Sequence, residues 1–338
     1  MDQQVETPGQ APGEAPGFDD ILAARERIAG QAVRTPLLTS AFLDATTGGR
    51  ILIKPENLQR TGSFKFRGAF NRLSMIPEAD RAAGVVACSS GNHAQGVAEA
   101  ARLLGMPATI VMPEDAPKAK LDRTRRAGAR VVTYKRGIED RDAISHAIAA
   151  ETGATFVHPF NDPGVIAGQG TLGLELCEQA AEIGAEPDAV LTCAGGGGMS
   201  AGVALAFERL APDCAFHPVE PAGFDDIARS LAAGERLSNP SESGSVCDAI
   251  LTPMPGELAF SILRRRAGGG LVVSDDEALA AVAFAFRELK LVVEPGGAVC
   301  LAAVLAGKLP VEGRTIALTL SGGNVDPALL ASALERFG

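Results

Sequence analysis

The sequence has little aromatic content, few cysteines and no long apolar run. Its 338 residues contain no tryptophan, one tyrosine and six scattered cysteines, without a Cys-x-x-Cys pair. Most of these cysteines fall in apolar strand or helix patterns, which indicates buried, reduced thiols in a cytoplasmic protein rather than a disulfide scaffold. No stretch reaches the about 20 continuous apolar residues that a membrane helix needs.

The sequence also has fewer basic than acidic residues. The chain carries 31 Lys and Arg against 41 Asp and Glu, a formal net charge of -10, and no cluster of basic residues reverses this balance locally. Such a chain repels phosphate backbones and anionic lipids, so the composition argues against nucleic acid and membrane partners. With 46% hydrophobic residues, the chain can bury a large core as one large or two coupled domains.

Residues 1–17 differ in composition from the rest of the chain. They are rich in proline, glycine and acidic residues, and they lack the basic and apolar regions of a signal peptide. We therefore predict a disordered tail.

Beyond the tail, short β-branched and apolar runs alternate with longer helical patterns. The seven predicted strands are ILIKPEN, GVVACSS, ATIVMP, ARVVTYK, DAVLTCA, CAFHPVE and RTIALTLS. Continuous apolar strands separated by helices predict an α/β fold with parallel sheets that are buried on both faces. The periodicity does not give the strand order, and a closed barrel fits it as well.

Four consecutive glycines, Gly195 to Gly198, follow one of these strands and precede a helix. Backbone N–H groups can converge there and the helix N-terminus adds positive charge, so the loop predicts a phosphate site. A dinucleotide fingerprint is the alternative, because Gly196, Gly198 and Ala201 have its spacing. Glu220 would then end the next strand, where such folds bind a ribose. A glycine turn without a ligand is the third possibility.

Lys65 lies between Phe64 and Phe66 in TGSFKFRGAF, at the start of a predicted helix. A lysine in that position is ordinarily a solvated charge. Flanking rings would exclude water from the amine and lower its pKa from about 10.4, so that it can act as a nucleophile or a base. A phosphate cradle together with a desolvated lysine is what pyridoxal phosphate requires.

Five stretches taken together resemble a known family. SFKFRGA, SSGNHAQGVA, GGGGMSAG, VEPAGFDD and LSGGN, in this order and at these separations, are similar to the threonine dehydratase and serine racemase family of fold type II pyridoxal-phosphate enzymes. The resemblance implies two domains of open parallel sheets with flanking helices. Residues 18–83 and 159–338 would form the large cofactor-binding domain and residues 84–158 a small mobile domain, and we expect a homodimer.

The resemblance also implies a role for each matching residue. Lys65 would hold the cofactor as a Schiff base and remove the α-proton of the amino acid. Ser321 would face the pyridine nitrogen without holding it protonated, which favours elimination of a β-substituent. The other implied cofactor contacts are Phe64, Asn92, Gly195, Gly196, Gly197, Gly198 and Met199. The implied substrate contacts are Ser89, Ser90, Asn92, His93 and Arg141.

The implied reaction is dehydration with deamination of L-threonine or L-serine to a 2-keto acid and ammonia. Ser90 leaves racemisation open, because serine racemases carry a serine there that exchanges the proton on the other face of the cofactor. If Arg141 enters the pocket instead of lying in solvent, 3-hydroxyaspartate becomes a plausible substrate. A nicotinamide oxidoreductase and a non-catalytic phosphate-binding module are the alternatives outside the family.

Two further expectations follow from the same resemblance. Glu220, the carbonyl of Phe224 and Asp226 have the spacing at which racemase-like members bind Mg²⁺ or Ca²⁺. Acids at a strand end and a helix start are also ordinary helix caps. The sequence after LSGGN is too short for the domain with which biosynthetic threonine dehydratases sense isoleucine, so we expect no isoleucine feedback.

Overall fold

Two parallel sheets organise the chain in the computed structural model, which describes residues 13–338 apart from residues 90, 117, 136 and 242. The strands are β1 (Arg50–Pro55), β2 (Val85–Cys88), β3 (Ala108–Pro113), β4 (Arg130–Tyr134), β5 (Thr155–Phe156), β6 (Ala189–Cys193), β7 (Ala215–Pro221), β8 (Leu271–Val273) and β9 (Thr315–Leu320). The helices are α1 (Phe18–Ile28), α2 (Ala41–Thr47), α3 (Lys65–Ser74), α4 (Asn92–Leu103), α5 (Lys118–Arg126), α6 (Arg141–Thr152), α7 (Pro163–Glu182), α8 (Gly198–Leu210), α9 (Asp226–Ala233), α10 (Glu257–Arg266), α11 (Asp275–Phe284), α12 (Pro295–Leu305) and α13 (Pro327–Phe337). Within this described part, no helix is both long and apolar enough to cross a bilayer.

The larger sheet has the order β1-β9-β6-β7-β8 and the smaller sheet the order β4-β3-β2-β5, and all their pairings are parallel. Both sheets are open, so the α/β prediction is confirmed and the barrel alternative is wrong. All seven predicted strands form. The pattern missed β5 and β8, which have only two and three residues. The strands of the smaller sheet fall within residues 84–158, although the domain boundary itself stays a prediction.

Parallel pairing brings the loops that carry the sequence motifs to common edges of the sheets. β6 ends at Cys193 before the four glycines, β9 ends before Ser321, and β2 ends before Ser89. An antiparallel bridge between Ser63 and Gly322 joins the loop before α3 to the loop after β9. The start of α3 therefore lies beside the carboxyl end of the larger sheet.

Glycines let α3 pack closely against α7. A Cβ on Gly168 would lie 2.6 Å from the Cα of Gly68, and a Cβ on Gly68 would lie 2.4 Å from Nε2 of Gln169. No side chain fits at either crossing point. This contact fixes the position of α3, whose first residue is Lys65.

A buried network of charged side chains lies beneath the same helix. Arg67 donates to Glu56 from Nε (2.7 Å) and Nη2 (2.9 Å), and to Glu175 from Nη1 (2.7 Å) and Nη2 (2.8 Å). Lys54 Nζ donates to Glu175 (2.7 Å) and Gln179 (2.8 Å). Arg67, Glu56 and Lys54 are fully buried, so each of these charges depends on its partners for compensation.

Candidate active site

Two adjoining cavities, of about 50 Å³ and about 310 Å³, lie where the loops after β2, β6 and β9 meet the start of α3. Lys65 and Asn92 line both. The smaller cavity is also lined by Phe64, Phe160, Cys193, Gly195, Gly196, Gly197, Gly198, Met199 and Ser321. The larger one is also lined by Ser89, His93, Arg141, His158, Arg236 and Glu294. All the described cofactor and substrate residues expected from the sequence therefore meet at one place.

Lys65 reaches into both cavities from the first turn of α3. Its Nζ donates to the carbonyl oxygen of Pro159 (2.9 Å) and lies 5.2 Å from the centroid of the Phe64 ring. Burial lowers the pKa of the amine to about 8. Phe66, the other flanking ring, points elsewhere: it packs against Phe70 in the core of the smaller sheet. Adjacent helical residues point in different directions, so only one of the two rings shields the amine.

The four-glycine loop forms a cradle that no other residue type can replace. A Cβ on Gly196 would lie 2.3 Å from the Phe160 ring, and one on Gly195 would lie 2.8 Å from the carbonyl oxygen of Ile250. Gly197 has a φ of 87° and caps α8, which begins at Gly198. Backbone N–H groups at the start of this helix can bind an anion. Phe160 was not predicted from the sequence.

Asn92 is held in one orientation by partners on both sides of its amide. Its Nδ2 donates to Glu294 Oε1 (2.6 Å), and its Oδ1 accepts from Asn324 Nδ2 (2.8 Å). Glu294 is buried and directly precedes α12. Its carboxylate lies against Gly322, where a Cβ would be 2.1 Å from Glu294 Oε1. Glu294 was not predicted from the sequence. An acid directly before a Pro-Gly-Gly helix start was the available signal.

Ser321 is buried at the end of β9, and its backbone is fixed on both sides. Its carbonyl accepts from the amide of Phe64 (3.1 Å), and its own amide donates to the carbonyl of Gly297 (3.2 Å). The side chain lines the smaller cavity and helps to lower the pKa of the Cys193 thiol, which lines the same cavity. Ser321 therefore occupies the wall of the small cavity formed by the ends of β6 and β9.

Two histidines, the buried His93 and the half-buried His158, line the larger cavity as neutral rings. His93 Nε2 lies 3.1 Å from the carbonyl of Val157, so this nitrogen carries the proton. Its Nδ1 has no hydrogen-bond partner among the described residues. His158 Nδ1 accepts from the amide of Asn161 (2.9 Å). Burial, together with the charge of Lys65, lowers the pKa of each ring to about 3.

Arg141 begins α6 and lines the larger cavity instead of pointing into solvent. The helix N-cap is the preceding Asp140, which accepts from two backbone amides. Ser89 lines the same cavity, and its Oγ accepts from the amide of Gly91 (3.1 Å). Ser90, the residue on which the racemase alternative depends, lies outside the described residues.

Comparison with known proteins identifies the family to which the chain belongs. The sequence profile of the family described as pyridoxal-phosphate dependent enzyme matches residues 28–322. The chain belongs to this family. It is 47% identical over 94% of its length to the L-threo-3-hydroxyaspartate ammonia-lyase of Pseudomonas sp., 98% of which is covered.

Two solved structures of the family have the same fold. The threonine deaminase of T.th. is 48% identical with a TM-score of 0.86, over 92% of this chain and 99% of that one. The serine racemase of maize is 37% identical with a TM-score of 0.89, over 95% of this chain and 98% of that one. The fold type II prediction and the resemblance to threonine dehydratases and serine racemases are thus confirmed.

The dinucleotide interpretation of the glycine loop does not hold in this pyridoxal-phosphate-dependent enzyme. Glu220, the acid that would bind a ribose, is fully buried. Its two carboxylate oxygens accept from the amides of Ile227 (3.0 Å) and Ala228 (2.8 Å) in the first turn of α9. This carboxylate faces the helix, not a ligand of the glycine loop.

The residues present fit pyridoxal phosphate. The cradle has room for an anion but for no side chain, the neighbouring lysine is desolvated, and the Asn92 amide is already oriented. These features supply a phosphate site, a nucleophilic amine and a polar contact for the ring.

The lowered pKa of Lys65 predicts how the apoenzyme captures its cofactor. Only the unprotonated amine attacks an aldehyde, so we expect the rate to rise about tenfold per pH unit below pH 8 and to level off above it. A solvated lysine would keep accelerating to about pH 10.4. Stopped-flow absorbance after mixing apoenzyme with pyridoxal phosphate measures this profile. A rate that still climbs steeply above pH 9 would contradict the desolvation of Lys65.

Proposed function

We propose that the protein is an ammonia-lyase that converts a β-hydroxy amino acid to a 2-keto acid and ammonia, and that 3-hydroxyaspartate is its preferred substrate. The observation that carries this assignment is the pair of guanidinium groups, Arg141 and Arg236, in the wall of the cavity beside Lys65. Arg236 Nε donates to the carbonyl of Pro255 (2.9 Å), which holds the guanidinium at the wall. Arginine binds carboxylates with two parallel hydrogen bonds, so this wall suits a substrate with a second carboxylate.

The similarity to a Pseudomonas protein named for L-threo-3-hydroxyaspartate supports this choice. L-Threonine and L-serine, the substrates first expected from the sequence, remain the second candidates, supported by the similarity to a protein titled threonine deaminase. Both candidates use the same elimination and differ only in what lies at the β-carbon.

The cofactor would be held at its phosphate by Gly195–Gly198 and Met199, at its aldehyde by Lys65, and at its ring by Asn92 and Ser321. When bound, pyridoxal phosphate withdraws electrons from the α-carbon of an amino acid and so acidifies the α-proton. Phe64, beside Nζ, keeps water from the amine.

Lys65 Nζ is the group that takes the α-proton. Because burial lowers its pKa to about 8, part of the amine is unprotonated at neutral pH and can act as a base. The substrate then loses its β-hydroxyl as water. The enamine that leaves the enzyme takes up one water and hydrolyses to the keto acid and ammonia, which balances the reaction.

Positive charge for the substrate carboxylates comes from arginine and from helix α4. His93 and His158 are neutral, so neither supplies a cation at physiological pH. Ser89, Asn92 and the backbone N–H groups at the start of α4 would bind the α-carboxylate. Arg141 and Arg236 are then left for the second carboxylate.

A substrate panel tests the proposal. L-threo-3-hydroxyaspartate, L-threonine, L-serine and D-serine are supplied in turn, and keto acid, ammonia and the chirality of residual serine are measured. We expect the highest kcat/KM with 3-hydroxyaspartate. A higher value with L-threonine would favour the second candidate, and accumulation of D-serine from L-serine would establish racemisation.

Arg141→Leu tests the substrate assignment at one residue. Loss of a charged hydrogen-bond partner removes about 1.5–3 kcal/mol, so we expect kcat/KM for 3-hydroxyaspartate to fall about 10- to 100-fold. The value for L-serine should change less than about threefold, because serine has no second carboxylate. Arg130→Leu, at the exposed first residue of β4, is the matched control. Equal losses for both substrates would remove Arg141 from the specificity site.

A cation site at Glu220, the Phe224 carbonyl and Asp226 stays part of the proposal. Asp226 is buried, its Oδ1 accepts from Asn239 Nδ2 (2.6 Å), and its Oδ2 has no hydrogen-bond partner among the described residues. Burial raises the pKa of both carboxyl groups, that of Asp226 to about 6. A bound divalent cation would offset both the cost of burying the two carboxylates and the repulsion between their charges.

Thermal unfolding with Mg²⁺, Ca²⁺ or a chelator checks this site. A cation at 100 times its dissociation constant stabilises the folded state by about 2.7 kcal/mol, so Tm should rise with either ion. Asp226→Asn should abolish the rise, whereas Asp213→Asn, at an exposed position, should keep it. A Tm insensitive to both ions in the wild-type protein would rule the site out.

A further inference from the structure

Two thiols lie in contact behind the smaller cavity. The Sγ atoms of Cys193 and Cys300 are 3.5 Å apart, although the residues are 107 positions apart in the sequence. Cys193 is the last residue of β6, and Cys300 lies on α12. Both are free thiols and both are buried. The proposed mechanism uses neither of them.

The pair adjoins the wall that faces the cofactor. Cys193 lies two positions before Gly195 of the glycine loop and lines the smaller cavity together with Ser321. Thr319 Oγ1 lies 3.7 Å from Cys193 Sγ and 3.8 Å from Cys300 Sγ. Cys193 is thus the member of the pair that lines the cavity.

The surroundings of the two thiols make Cys193 more acidic than Cys300. Burial raises the pKa of Cys193, but hydrogen bonds with Cys300, Ser321 and Thr319 outweigh it and hold the pKa at about 7. Burial and the Cys193 sulfur raise the pKa of Cys300 well above its usual value. Cys193 is therefore the more acidic thiol of the pair and the better nucleophile. Burial raises the pKa of Cys88, Cys177, Cys214 and Cys247 to about 12, which keeps them protonated.

We propose that Cys193 and Cys300 form a dithiol that hydrogen peroxide oxidises to a disulfide. The Cys193 thiolate attacks one peroxide oxygen, the O–O bond breaks, and the departing hydroxide takes a proton to become water. The Cys300 sulfur then displaces the hydroxyl from Cys193, and a second water leaves. Two thiols are oxidised and one peroxide is reduced to two waters. The sulfurs must close from 3.5 Å to about 2.05 Å.

The disulfide changes the cofactor site. It draws the end of β6 toward α12, and it removes the free Cys193 thiol from the cavity wall that Ser321 also lines. Both changes occur in the cavity wall that adjoins the glycine loop. Turnover should fall as the disulfide forms and return when a dithiol reductant opens it. This loss of turnover rests on the proposed function, but formation of the disulfide does not.

Peroxide titration of the holoenzyme tests the proposal by mass and by activity. We expect the intact mass to fall by two hydrogen atoms and non-reducing peptide mapping to link the peptides that contain residues 193 and 300. Cofactor absorbance should change in step with the cross-link, and dithiothreitol should reverse both. The mass readout needs no substrate, so a wrong substrate assignment cannot imitate a failure of the disulfide.

Two variants distinguish oxidation of the Cys193–Cys300 pair from oxidation of the other cysteines. Cys300→Ser should form no cross-link, and its oxidation should stop being reversible as Cys193 is driven to the sulfinic acid. Cys214→Ser, which removes a buried thiol elsewhere, should form the cross-link at the wild-type rate. If Cys300→Ser does not fold, the wild-type peptide map decides alone. The proposal is overturned if peroxide modifies other cysteines while residues 193 and 300 stay reduced, or if the cross-link forms and cofactor absorbance does not change.

Discussion

Alanine in place of Lys65 should lower kcat by at least about 10³-fold, because the variant loses both the nucleophile that attaches the cofactor and the base that removes the α-proton. Keto-acid release measures the turnover. Borohydride reduction followed by peptide mapping measures the attachment, which should label Lys65 in the wild-type protein and no residue in the variant. Lys65→Arg should be equally inactive, because an always-protonated guanidinium serves neither purpose.

Lys308→Ala is the control for that experiment. This lysine pairs with Glu277 and lines neither cavity, so its loss should leave kcat unchanged. A Lys65→Ala protein that retains a tenth or more of the wild-type turnover would refute the assignment of Lys65 as base. A borohydride label on another lysine would refute its assignment as the point of attachment.

Methionine in place of Arg67 should destabilise the protein by about 3–5 kcal/mol, because it leaves the buried carboxylate of Glu56 and the half-buried carboxylate of Glu175 without their main cation. Chemical denaturation, followed by far-UV circular dichroism, measures the loss. Arg102→Met removes an ion pair on the surface of α4 and should leave the denaturation midpoint unchanged.

The double variant Glu56→Gln with Arg67→Met separates loss of a charge from loss of packing. If the cost of Arg67→Met comes from the unpaired carboxylate, removing that charge should recover part of the stability, so the double variant should be more stable than the single one. Additive losses would instead assign the cost to packing. Because α3 begins at Lys65, two residues before Arg67, the single variant should also bind pyridoxal phosphate more weakly.

Much of the site could be predicted because its chemistry is local in sequence. Gly195 to Gly198, Asn92 and Ser321 each follow a strand of a parallel sheet, and loops after parallel strands share one edge. The strand pattern placed these loops at sheet edges, and the resemblance to a known family implied that their residues meet around Lys65. The seven long strands were predictable for the same reason, since each is a continuous apolar run.

The missed residues depend on contacts that no local pattern records. Phe160 gains its role only because the glycine loop folds against its ring. Glu294 lies 202 positions from Asn92, the residue it orients. The ionic network joins Glu56 and Arg67 to Glu175, which lies more than 100 positions further along the chain. The prediction that the Phe66 ring shields the Lys65 amine was wrong, because helical geometry and not adjacency in the sequence decides which ring covers the amine.

The position of β9 has a consequence for how this protein is made. β9 inserts between β1 and β6, so the larger sheet cannot close until residues 315–320 have left the ribosome. The four strands of the smaller sheet lie within residues 85–156 and can assemble much earlier during translation. Until β9 has been synthesised, β1 and β6 each present an unpaired, apolar strand edge. A nascent chain that lacks β9 therefore exposes strand edges that favour aggregation, and slow synthesis of the segment before β9 prolongs that exposure.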